Sequence, residues 1–82
     1  MNEELKISIK SGNESSLYKL TGSNNIVCNI YVASTTDGVI NYATTVDTQT
    51  LEGEVTICTS TDLKYCIDFA MNEISRSGEG WI

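Results

Sequence analysis

Along residues 4–10 apolar and polar positions alternate: Leu5, Ile7 and Ile9 fall on one side, Glu4, Lys6, Ser8 and Lys10 on the other. A period of two marks a strand with one face buried. Ser11, Gly12 and Asn13 end that pattern. Asn13 or Ser15 then stands where a helix cap is expected, before Leu17 and Leu20 three residues apart, with Gly22 as the stop. This segment is read as a short helix. Residues 26–33 are rich in β-formers and align Cys28, Ile30 and Val32 on one face. Asp37-Gly38 is a strong hairpin-turn dipeptide and leads into a further strand at 39–42.

Residues 44–51 read as a loop or a short helix capped by Thr44 or Thr45, since their β-branched content disfavours a long one. Val55 and Ile57 share the inward side of a strand over 54–59. The stretch from Thr59 to Asp62 reads as a capping box, with the threonine bonding a backbone N–H and the aspartate reaching back. The helix that follows, from about residue 62 to 75, carries Leu63, Cys66, Ile67, Ala70 and Ile74 at helical spacing. These elements predict an α+β open-faced sandwich. Its four-stranded, mostly antiparallel sheet has two or three helices on one face and a polar face made by Lys6, Ser8, Lys10, Asn29, Tyr31 and Thr56. Residues 1–77 form one domain and 78–82 a flexible tail.

The chain has 82 residues, which is enough for one domain with a modest core. Eleven acids against five bases give a formal charge of −6. No lysine or arginine occurs between Lys19 and Lys64, whereas Asp37, Asp47, Glu52, Glu54 and Asp62 do. Such a middle repels phosphate backbones, so nucleic acid is not an expected partner. A solvated acidic surface is the plain reading, and an acidic docking face for a basic partner the sharper one. No apolar run reaches the length of a membrane span, and the first residues, MNEELK, are unlike a targeting peptide; the expected location is cytoplasmic.

Histidine is absent, which removes Ser–His and Cys–His catalytic pairs and the common imidazole metal sites. Cys28, Cys58 and Cys66 have no CxxC spacing and read as buried reduced thiols. No phosphate-binding glycine loop and no calcium-loop register is present. The expectation is a protein that is not an enzyme and needs no cofactor or metal. Tyr65 and Phe69, four residues apart and off the main apolar stripe, are set to pack on the helix holding Leu17 or to anchor a partner. Trp81, after a Ser-Gly-Glu-Gly linker, is a second candidate anchor.

From Cys28 to Ile74 the chain resembles HPr, the histidine-containing phosphocarrier of the bacterial sugar phosphotransferase system. The likeness rests on Ile30-Tyr31-Val32, Asp37-Gly38, Ile40-Asn41, a Thr44-Thr45-led segment ending at Leu51, Gly53 to Ile57, and the final amphipathic helix, all in that family's order. The resemblance implies the family's fold, with a phosphorylated histidine before the first helix. Here Asn13, Glu14, Ser15 and Ser16 fill that region, so the family's phosphocarrier chemistry is excluded by composition. The family's regulatory serine, at the cap of its second short helix, has Thr44 or Thr45 as its nearest counterpart. The expected function is then a non-enzymatic interaction or regulatory domain that binds another protein. Asn13, Ser15, Ser16, Thr44 and Thr45 are its candidate partner or anion contacts. The alternatives are a ferredoxin-like or ACT-like small-ligand-binding module, and a small acidic inhibitor from a mobile element.

Overall fold

The computed structural model describes residues 6–12, 16–47 and 53–79, the side chains of 77–79 excepted. Five strands come first: β1 (Ile7–Ser11), β2 (Ser16–Gly22), β3 (Val27–Thr36), β4 (Val39–Asp47) and β5 (Glu54–Ser60). One helix, α1 (Leu63–Glu79), follows them. The strands form a single antiparallel meander in the order β1-β2-β3-β4-β5, and α1 lies across one face of it.

This corrects the expected architecture. The chain is mostly β, with one helix where the open-faced sandwich had two or three, and neither the HPr-like nor the ferredoxin-like order of elements is adopted. The segment carrying Leu17 and Leu20 is strand β2. Its register with β3 slips at Leu17, which bulges out between Ser16 and Tyr18. Tyr18, Leu20 and Gly22 then face α1, and Lys19 and Thr21 face away. Residues 44–47 continue β4, so Thr44 and Thr45 cap nothing. They are among the most buried polar side chains of the protein. The cap of α1 also lies three residues on from its expected place, at Asp62 instead of Thr59. Asp62 itself accepts from Lys64 N–H (3.0 Å) and Tyr65 N–H (3.3 Å), while the Ser60 hydroxyl accepts from Asp62 N–H at 3.0 Å.

The helical stripe from Leu63 to Ile74 holds as expected. Cys66, Ala70 and Ile74 are fully buried against Leu20, Cys28 and Ile30, and Leu63 and Ile67 flank them. Among the described residues the core has six fully buried apolar side chains at its centre, and each leucine or isoleucine among them contributes about 1.5–3 kcal/mol. At the far end of α1 the sheet comes very close. A Cβ on Gly22 would overlap Ile74 Cγ2 and Asn24 Oδ1, so any side chain at that strand position must push one of them aside. Asn24 locks the junction, donating to the Ile74 carbonyl at 2.9 Å and accepting from Ile26 N–H at 3.2 Å. Among the described residues no helix is long and apolar enough to cross a membrane.

β3 and β4 run well past the helix. Asp37 and Gly38, with φ of 52° and 78°, make the two-residue turn at their tip. Residues 32–41 are exposed on both sides, forming an arm that projects from the covered sheet.

Candidate functional site

Strand alternation sorts polar chemistry onto the face that α1 leaves open. Lys10, Lys19, Asn29, Thr45 and Thr56 form one cross-strand row on that face. Two residues along β4 and β5, Asp47 lies directly opposite Glu54. Glu54 is the hub. Its carboxylate accepts from the Tyr31 hydroxyl (2.7 and 3.0 Å to its two oxygens), from Thr45 Oγ1 (3.2 Å) and from the Asn29 amide. Partial burial, the hydrogen bond to Glu54 and the charges of Glu54 and Asp47 push the Tyr31 phenol up to about 12. Under ordinary conditions it is therefore a neutral donor.

On the covered face polar groups answer to the helix. The Thr44 hydroxyl donates to the Cys66 carbonyl at 2.9 Å, and the Cys66 thiol contacts the Tyr42 carbonyl at 3.8 Å. The Cys28 thiol meets the Ala70 carbonyl at 3.9 Å. Burial, helped by the charge of Glu73, pushes its pKa up to about 12. Burial also raises Cys58, with the Cys66 thiol beside it adding to the shift. The Cys28 and Cys58 thiols are therefore protonated packing groups.

The residues singled out from sequence do not form one site. Asn13, Ser15 and Trp81 lie outside the described residues. Ser16 opens β2 opposite Tyr31 on the open face. Thr44 and Thr45 are adjacent but point to opposite faces, both shielded from solvent. Tyr65 and Phe69 meet as a tilted ring pair, centroids 6.2 Å apart, with Tyr65 exposed and, among the described residues, no second helix for them to pack on. Beside Phe69 a shallow groove of about 490 Å³ is lined also by Asn72, Glu73, Ser75 and Arg76, and its one cation is already engaged by Glu73.

Two features escaped the sequence reading. The Glu54 hub was hidden because its partners come from β3 and β4. Asn29 and Tyr31, two residues apart on a polar side, were the available signal. The arm was hidden because the Asp37-Gly38 turn fixes where a hairpin folds back but not how far its strands outrun the core. On it Val32, Val39 and Ile40 are 45, 53 and 39% exposed, with Val32 and Ile40 on the helix-side face and Val39 on the other. Among the described residues no group of three or more acidic or sulfur side chains is gathered as a metal site. No family model matches the chain, and neither a curated protein nor a solved structure matches it significantly.

Proposed function

We propose that this chain is a non-enzymatic binding module that docks a basic protein through its β3–β4 arm. The observation that carries the reading is the arm: residues 32–41 lie outside the core yet keep Val32, Val39 and Ile40 in water. Apolar side chains held on a protruding two-stranded ribbon add nothing to the monomer's core, and they supply contact area to a cleft. Charge selects the partner's sign. From Leu20 to Leu63 there is no lysine or arginine, so β3, β4, their turn and β5 carry only acidic charges: Asp37, Asp47 and Glu54. A partner with an apolar cleft rimmed by cations fits that surface, and salt weakens the encounter.

A photo-crosslinking residue placed in turn at Val39 and Ile40 tests this in the native host, with the exposed helix residue Lys64 as the control position. The expected result is one discrete protein adduct from the arm positions, with a basic partner. The Val39 adduct is diminished by Val32→Thr with Ile40→Thr, and no such adduct forms from the control. Adducts of the same pattern from Lys64, or none from the arm, would overturn the reading.

A further inference from the structure

The open face of the sheet is self-complementary in charge. At one edge Lys10 and Lys19 are direct cross-strand neighbours, and no described carboxylate pairs with either. At the other edge Asp47 and Glu54 are direct neighbours as well. Like charges placed opposite each other destabilise a strand pair. This sheet does so twice, with opposite signs, on one face and on either side of β3.

We propose that this face is the interface of a two-fold dimer, the occupant being a second copy of this chain. A two-fold axis lying in the interface and parallel to β3 carries β1 and β2 of one copy over β4 and β5 of the other. Each lysine pair then faces the partner's acidic pair, twice by symmetry. The register allows it. Ser8, Thr21 and Val27 share a row, and the pairing of Cys28 with Val46 puts Asp47 and Glu54 in line with it. The lysine row lies two residues along, about 7 Å, which a lysine side chain spans. Sheets stacked this way keep their strands within about 30° of each other. Tyr31, Thr45 and Asn29 hold Glu54 in place, so the anionic edge is ordered before the partner arrives.

The area sets the strength. Five strands spaced about 4.8 Å apart and about 20 Å long present roughly 500 Å² per copy, against about 800 Å² for a standard interface. The dimer is accordingly a weak one that depends on its charges.

Sedimentation equilibrium of the full chain across an ionic-strength series is the test. Wild type should be dimeric at low salt and submillimolar concentration, and should dissociate as salt rises. Lys10→Glu with Lys19→Glu should be monomeric, and so should Asp47→Lys with Glu54→Lys; Asp47→Lys alone serves if the Glu54 hub is needed for folding. Mixing the two oppositely charged variants should restore a heterodimer. A monomeric wild type at low salt would overturn the proposal, and so would a dimer indifferent to the lysine changes. Loss of the dimer in the arm variant Val32→Thr with Ile40→Thr, with the lysine variants still paired, would move the interface to the arm and defeat this assignment.

Discussion

The two faces of the sheet are made from alternate residues of the same strands, yet they are held by different means. The covered face is apolar and depends on one helix, through Ile74 over Gly22, Ala70 over Cys28, and Cys66 beside Thr44 and Tyr42. The open face is polar and depends on one carboxylate, Glu54, which gathers donors from β3 and β4. Thr44 and Thr45 show the contrast in two adjacent residues of one kind. Both hydroxyls are satisfied, one by a helix carbonyl and the other by a side chain. Burial of apolar area supplies most of the free energy of folding, whereas a half-exposed hydrogen bond is offset by the water it displaces. The covered face therefore carries the stability of the fold, and the open face is free to carry function.

The contrast breaks most sharply at Ile74. Ile74→Ala empties a fully buried site between α1 and the β2–β3 turn, and should cost about 2–5 kcal/mol in denaturant unfolding. In so small a domain that approaches the whole stability. Gly22→Ala probes the same contact from the other side. The added methyl must displace Ile74 or Asn24, so a loss of about 1–3 kcal/mol is expected, with thermal melting as the readout. A neutral outcome at Gly22 would mean that the helix is not seated as closely as described.

The open face should respond less in stability and more in titration. Glu54→Gln keeps an acceptor for Tyr31 but removes the charge, and should cost about 1 kcal/mol or less. Its clearer effect is on the Tyr31 phenol, which should fall from about 12 back towards 10, as read in the tyrosinate absorbance of variant against wild type. The folded-state value is raised, so the contribution of Tyr31 to stability is fully present below pH 10. It is lost as pH climbs towards 12, because the folded state binds the proton more tightly than the unfolded chain does. In Glu54→Gln that alkaline loss should shrink.

Legibility from sequence followed the range of the interactions. The Asp37-Gly38 turn, the strand at Ile7–Ser11 and the stripe from Leu63 to Ile74 could be read because each is decided by neighbours a few residues away, but Ile9, expected on a buried side, is 47% exposed. β2 was misread because the bulge at Leu17 breaks its alternation, leaving Leu17 and Leu20 at a spacing that a helix also produces. Residues 44–47 looked like a capped loop because two threonines in a row suit a cap. What makes them a strand is pairing with Cys28 to Ile30 on one side and with Glu54 to Cys58 on the other. The Glu54 hub joins residues up to 25 positions apart, and no local pattern announces that.

By itself, then, the sequence determined the turn chemistry, the amphipathic helix, the absence of histidine chemistry and the cation-free middle of the chain. These are properties of composition and of short-range sterics. Only the tertiary structure decided that the segment after β1 is a strand, that α1 covers one face of the sheet, and that β3 and β4 outrun it as an arm. It also decided that opposite charges gather at opposite edges of the open face. Those outcomes depend on which strand lies beside which, and backbone pairing across a sheet is fixed by the global arrangement of the chain, with intrinsic strand preference too weak to set it.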